Sequence, residues 1–154
     1  MADDIILKIE GIPGESKLKG HEKEIDVHSV SWGLSNNASN HMGGGGGSGK
    51  VQFQDIHFSK NFDASSHNIQ MRCADGKHIP KAEIFFRKQG EGQKEYLTIT
   101  LEQVLISSFQ GSNSGEQFSI AFAKFKFDYK EQDAKGSLGG SKTFGYDLKA
   151  ANSV

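Results

Sequence analysis

The residues with the most suggestive spacing for chemistry lie between Asn36 and Lys50. Gly44, Gly49 and Lys50 reproduce the glycine and lysine spacing of a phosphate-cradling loop, in which backbone N–H groups and a lysine hold a nucleotide. That chemistry also needs a Ser or Thr after the lysine, to hold magnesium, and a helix whose N-terminus faces the phosphates. Here Val51 follows, and Val51–Phe58 alternates as a strand does. Five consecutive glycines, Gly43–Gly47, satisfy the spacing trivially, so nucleotide binding is set aside. The histidines His21, His28, His41, His57, His67 and His78 include no close pair at a metal-ligand spacing, and Cys73 has no cysteine partner. Separate strands could still bring two histidines together, so zinc is disfavoured by spacing alone. Surface or core histidines are the expectation. Ser65-Ser66-His67 sets serine beside histidine, but adjacency in sequence is not the geometry of a nucleophile and its base. Helix capping explains those serines better. Glu131 and Asp133 sit in a turn-like, solvated stretch without apolar surroundings to raise a catalytic pKa. Asn37-Ala38-Ser39 is a glycosylation sequon that stays inert without secretory entry. No enzyme, cofactor or metal site is expected.

The bulk numbers agree. At 154 residues the chain has the length of one domain, with no internal repeat or boundary, and a chain this size can bury a proper core. Its aromatic content rests on 11 Phe against 3 Tyr and the single Trp32, and buried Phe needs no hydrogen-bond partner. A formal charge of −1 with interspersed signs gives no support for a nucleic-acid or anionic-membrane partner. One cysteine excludes an intrachain disulfide and fits a structural thiol in a reduced compartment. Met1-Ala2-Asp3-Asp4 followed by Ile5-Ile6-Leu7 lacks the features of a signal peptide, and no apolar run approaches 18 residues. Synthesis in the cytoplasm is expected, with export still open by a route that reads no N-terminal signal.

The elements that must position these residues are short alternating segments. Between Lys23 and Leu34, Ile25 and Val27 share one parity and Val30, Trp32 and Leu34 the other. Val51 and Phe53 give way to Ile56 and Phe58, and Phe118, Ile120 and Phe122 to Phe125, Phe127 and Tyr129. A period of two marks half-buried strands, and a parity slip needs a bulge or a strand that passes from one layer to another. Further strands are expected at Ile5–Ile9, Ala82–Lys88, Glu95–Phe109 and Lys142–Lys149. Within Glu95–Phe109, Leu97, Ile99 and Leu101 slip to Val104 and Ile106. Repeated slips predict a curved antiparallel sheet, and a small closed or split barrel fits best. One helix is expected, with Asp63 or Ser65 as N-cap, Ile69 and Cys73 on one face, Gly76 at its end and Pro80 beyond. It would flank or plug a barrel end. Glycine-rich loops lie at Asn36 to Gly49, too long for an ordinary hairpin turn, and at Gly136–Gly140.

On the strands, Ser31 and Gly33 alternate with Val30, Trp32 and Leu34. Lys124, Lys126 and Asp128 alternate with Ala123, Phe125, Phe127 and Tyr129. By pattern these are ordinary solvated faces. Long segments also raise the question of exposed edges, which proteins cover, charge or pair with another chain.

Several stretches in one order carry a resemblance. They are Gly14-Glu15-Ser16-Lys17, Glu24-Ile25-Asp26-Val27, Ser31-Trp32-Gly33, the Met42 to Lys50 loop, Gln54-Asp55, Gly76-Lys77-His78-Ile79-Pro80-Lys81-Ala82, Glu95-Tyr96-Leu97, Phe122-Ala123-Lys124, Gln132-Asp133-Ala134 and Phe144-Gly145. Across almost the whole chain the sequence resembles the Hcp (haemolysin-coregulated protein) family, the inner-tube subunits of type VI secretion systems. The resemblance implies a tight or split β-barrel with one flanking helix, like phage tail tube subunits, and no active site. It implies homo-hexameric rings that stack into a hollow tube, driven by a contractile sheath and capped by a spike protein. It further implies export from the cell, with effector proteins held in the ring lumen. The loop matching Asn40, His41, Met42, Gly43, Gly44, Gly45, Gly46, Gly47 and Ser48 would reach the adjacent ring, at an ordering cost that keeps stacking reversible. Ser31 would face the lumen, where a bulky charged replacement is expected to impair cargo retention without breaking the ring. Lys124 and Lys126 would lie on the lumen or the outer wall. Tyr146 stands where many relatives carry Trp, and the chain's end soon after Lys149 suggests a bare tube subunit with no fused effector. The competing classes are a tail tube protein of phage origin and a hollow, small-ligand-binding β-barrel.

Overall fold

Alternating apolar and polar residues build twelve strands and one helix among the described residues of the computed structural model, which are 3–36, 50–90, 94–133 and 137–154. The strands are β1 (Asp3–Ile9), β2 (Ile25–Val27), β3 (Ser29–Ser31), β4 (Leu34–Asn36), β5 (Val51–Phe53), β6 (Ile56–Lys60), β7 (Ile79–Lys88), β8 (Glu95–Ser112), β9 (Gly115–Ala121), β10 (Lys124–Gln132), β11 (Leu138–Asp147) and β12 (Asn152–Ser153). The helix α1 (Ser66–Asp75) lies between β6 and β7. A large antiparallel sheet runs β12-β11-β10-β8-β7-β1-β2, and a small one runs β3-β6-β9-β8. A separate hairpin pairs β4 with β5.

The two sheets share β8, whose first half pairs with β7 and β10 and whose second half pairs with β9. At the other corner, β2 pairs with β1 and the chain turns at His28 into β3, which pairs with β6. The His28 N–H donates to the Ser59 carbonyl at 2.8 Å across that corner. The barrel is therefore split, joined at two bent corners and not closed by one continuous ladder.

Each parity slip read from the sequence falls where the chain changes sheet. In β8, Leu97, Ile99 and Leu101 are buried, then Val104 and Ile106, with Gln103 between them in the left-handed region at φ 51°. A left-handed non-glycine residue shifts the alternation at a local conformational cost, and a bulge follows between Ile106 and Ser108. Phe118 and Ile120 belong to the small sheet, whereas Phe125 belongs to the large one. The expected single strand from Lys23 to Leu34 is instead three short strands, because its segments take three different partners. Trp32 falls between two of them, with its ring 5.9 Å from that of Phe86. Two smaller differences concern ends. β7 begins at Ile79, so Pro80 sits inside a strand; it lies beyond the β1 ladder, which ends at Ala82, where a missing N–H is tolerated. Of the expected Gly136–Gly140 turn, Leu138, Gly139 and Gly140 already belong to β11.

The core fills the space between the sheets. Phe58 and Phe118 stack at 5.0 Å, and Ile56, Ile120, Ile84, Ile99, Leu101 and Leu7 are all fully or almost fully buried. From α1, Ile69 closes one end of the barrel, and full burial of such a side chain contributes about 1.5–3 kcal/mol. Ser65 occupies the N-cap position but makes no side-chain cap bond. Asp63 instead holds that residue in place, accepting from the Ser65 N–H at 2.8 Å. Gly76 ends the helix at φ 65°, its N–H donating to the Arg72 carbonyl, a left-handed closure that favours glycine.

Candidate functional site

Ser31 is exposed on β3 and lies in the first of two cross-strand rows on the outward face of the small sheet. One row is Ser31, His57, Ser119 and Ser108, running across β3, β6, β9 and β8. The next is Ser29, Ser59, Gln117 and Gln110. On the opposite face, Val30, Phe58, Phe118 and Phe109 hold the same strands to the core. The outward rows thus carry hydroxyls, amides and one imidazole, and no lysine, arginine or carboxylate. Hydroxyl bonds knit this wall: Ser29 to Ser59 at 2.5 Å, Ser119 to Ser107 at 2.7 Å and to Ser108 at 2.5 Å. At its margin the Ser107 hydroxyl donates to Asp55 at 2.7 Å. Gly33 follows Ser31 closely, and a Cβ there would meet the Gln54 side-chain oxygen at 2.8 Å.

The outward face of the large sheet is built differently. Lys81, Glu102, Lys124 and Asp147 stand opposite one another on β7, β8, β10 and β11, a row of alternating sign. Lys8 and Glu83 form a further cross-strand pair. Lys124 and Lys126 thus belong to this charged face, not to the neutral wall containing Ser31.

Beneath α1 lies a buried polar cluster. The Lys60 ammonium donates to Asp63 at 2.7 Å and lies 3.4 Å from Glu116, whose other oxygen accepts from the Ser66 hydroxyl. Lys60, Ser66 and Glu116 are buried, while His67 beside them is exposed. Ser66 is therefore spent on anchoring the helix, and Ser65-Ser66-His67 forms no nucleophile and base pair. Cys73 is half-buried against the core. Among the described residues, no group of three His, Cys, Asp or Glu side chains is placed to hold a metal ion.

One titratable group escaped the sequence. His21 is held between Glu24, at 2.8 Å from Nδ1, and Glu95, bonded to Nε2, with its ring 4.6 Å from Phe85. Burial alone would lower its pKa, but the hydrogen bonds and charges of Glu95 and Glu24 raise it above the usual 6.5. Burial pushes Glu95 up, and its bond to His21 with its own backbone contact brings it below 4.5. Burial and a hydrogen bond to Asp3 raise Tyr96. These contacts fasten the 12–24 segment and the start of β8 to the large sheet, and nothing in the spacing of His21 signals them.

The expected stacking residues Asn40 to Ser48 lie outside the described residues; the β4–β5 ladder, ending at Asn36 opposite Val51, brackets them. The barrel interior is packed with the buried Phe, Ile, Leu and Val side chains, which disfavours a hollow ligand-binding barrel. A depression of about 820 Å³ is an open surface groove lined by Lys50, Phe53, Tyr146 and Leu148 among others. No described helix is long and apolar enough to cross a membrane.

These features define a filled split barrel whose two sheets present unlike outward faces, one with rows free of fixed charge and one with charged rows. Comparison with known proteins specifies that class. The family described as "Type VI secretion system effector, Hcp" matches residues 6–129. Protein hcp1 of Pseudomonas aeruginosa is 46% identical over 157 residues, covering 97% of this chain and 97% of that protein. Among solved structures, one described as a type six secretion system protein superposes with TM-score 0.91 at 25% identity, covering 99% of this chain and all of that one. Hcp1 from Salmonella typhimurium gives 0.81 at 35% identity, with each chain covered in full. The chain therefore belongs to the Hcp family and is a type VI secretion tube subunit.

Proposed function

We propose that six copies of this chain, each a single domain over residues 1–154, close into a ring whose bore is lined by the neutral wall of β3, β6, β9 and β8. Rings stack through the segment Asn40 to Ser48 into a tube that engages a contractile sheath and a spike protein. The chain is made in the cytoplasm and leaves through the type VI apparatus without a signal peptide. Effector proteins travel in the bore, with Ser31 on its surface. The subunit catalyses no reaction, binds no nucleic acid and inserts into no membrane.

The observation that carries this assignment is the absence of fixed charge on the two outward rows that begin at Ser31 and Ser29. In an enclosed bore, six-fold repetition multiplies any wall charge, and a strong single-sign field would trap or repel cargo by charge. A hydroxyl and amide wall avoids both. Negative-stain microscopy and native mass spectrometry of the purified chain test the ring: annular particles of six subunits are expected, and strict monomers at high concentration would refute it. Ser31→Gln should leave rings intact while cargo retention falls; loss of the rings would move Ser31 out of the bore. Removing Gly43 to Gly47 should shorten or abolish stacks, and unchanged tube length in micrographs would end the stacking role.

A further inference from the structure

The core-side face of the large sheet extends further than the small sheet can cover. Across β8, β7 and β1 it is buried, but its continuation on β10 and β11 carries Phe127, opposite Ile99 and Phe144, and Tyr129, opposite Leu97 and Lys142. Trp32 lies over this extension, 6.5 Å from the Phe127 ring, while Tyr96 meets Tyr129 at 6.4 Å and Phe125 meets Phe144 at 6.3 Å. The result is one contiguous aromatic overhang that stays open: Trp32 is 37% exposed, Tyr129 38% and Phe144 41%. Beside it, the outer edge of β11 is paired only at Tyr146 and Asp147, by β12, with the Val154 N–H reaching the Gly145 carbonyl. From Leu138 to Phe144 that edge meets no other described strand.

A second, different apolar patch lies at the far end of β8. There Phe62, 54% exposed, sits by Phe109 and Gly111; α1, which packs on β8, separately exposes Met71, 46% exposed. An exposed apolar patch beside an unpaired strand edge marks a contact with another chain. Two unlike patches at opposite ends of one strand do not suit a two-fold dimer, whose contact is a single patch meeting itself; they suit a head-to-tail contact that closes into a ring.

Resting on the ring proposed above, we infer that the aromatic overhang of Trp32, Tyr129 and Phe144, with the open edge of β11, docks on the Phe62 patch of the next copy and on the α1 surface that carries Met71. Each subunit then presents one patch and receives the other, and the ring leaves neither exposed. A bulky charge in the overhang would be buried unpaired at every contact of the ring.

Cross-linking tests this directly. In a Cys73→Ser background, a chain carrying both Phe144→Cys and Met71→Cys is treated with a short bismaleimide and run on a denaturing gel. A ladder of covalent multimers ending at the ring size is expected, while either single-cysteine chain stays monomeric. A second pair, Tyr129→Cys with Phe62→Cys, should give the same ladder and guards against local damage by the first. Native mass spectrometry of the same samples separates the two levels of the inference. Intact rings with no ladder from either pair overturn this contact and leave the ring standing. Dimers from a single-cysteine chain also overturn it, because like residues would then meet. Strict monomers overturn the ring itself. In the cysteine-free background, Phe144→Glu should raise the concentration at which rings dissociate at least about tenfold, and unchanged dissociation would count against the docking.

Discussion

The outward faces of the two sheets differ more than their shared core would suggest. Both are antiparallel, both turn their apolar rows inward, and both include part of β8. Yet the large sheet meets water with Lys81, Glu102, Lys124 and Asp147 in alternating sign, and the small sheet with Ser31, His57 and Ser108, Ser119 being buried among its hydroxyl partners. Folding alone needs only polarity on an outward face, and either set satisfies that. Under the proposed ring, the absence of fixed charge from the rows beginning at Ser31 and Ser29 reflects what that face meets. The charged rows are what an isolated domain would need for solubility. The neutral rows suit a surface that slides past another protein.

The comparison breaks most completely when the support under the neutral wall is removed. Phe58 lies directly behind that wall, stacked on Phe118 at 5.0 Å and almost fully buried. Phe58→Ala should destabilise the chain by about 3–5 kcal/mol, read as a lower urea midpoint. The buried charges come next. Glu116→Leu strands the Lys60 ammonium beside a new apolar group, although Asp63 remains with it, and should cost about 3 kcal/mol. Lys60→Met combined with Glu116→Leu should recover at least half of that loss, since two matched apolar groups replace an ion pair at little cost. A double variant as unstable as the single one would show that the cluster fixes the start of α1 through its specific bonds.

The third effect separates the faces by pH. His21, bound over Phe85 on the outward side of the large sheet, has a raised pKa, and Glu95 a lowered one. The histidine's contribution is complete below 6.5, its usual value, and fades as pH rises through its higher folded value. That of Glu95 is complete above 4.5 and fades as pH falls through its lower folded value. The margin of the wild-type chain over His21→Gln should thus be widest between those two pH values and shrink in alkaline buffer. Urea titrations at pH 5.5 and pH 8.5 measure it, and a margin that grows with pH would mean that the contact is not an ion pair in the folded chain.

How far the sequence reached follows from the range of each signal. Strand parity is local, so the slips at 101–104 and 53–56 were readable, and with them the bent strands that make a split barrel. Gly76 was readable because a left-handed helix end asks for glycine. The division of residues 23–34 into three strands was not, since alternation says which side a residue faces and not which partner its strand chooses. Ser31 could be placed on an exposed face, but the neutrality of that face arises only when segments near residues 30, 58, 109 and 118 come into register. Uncharged polar residues at alternate positions in all four segments (Ser29 and Ser31, His57 and Ser59, Ser108 and Gln110, Gln117 and Ser119) were the available signal, and each segment alone looks like ordinary solvated surface. The contact between His21 and Glu95 bridges 74 positions and has no local signature at all.

The smallest effect sharpens the comparison most, because it applies one change to both faces. Glu102 stands between Lys81 and Lys124 on the charged sheet. Glu102→Lys removes two opposite-charge neighbours and sets like charges opposite each other, which should cost about 1 kcal/mol at low salt. Gln117→Lys places the same ammonium on the wall, where its cross-strand neighbours are Ser59 and Gln110. With no like charge opposite, the monomer's stability should change by less than about 0.5 kcal/mol. Salt discriminates further: near 1 M the Debye length falls to about 3 Å, so the Glu102→Lys loss should largely vanish while the Gln117→Lys result stays put. If Gln117→Lys proved the more costly and the more salt-sensitive of the two, the wall would carry hidden charge coupling, and its neutrality could not be what fits it to a bore.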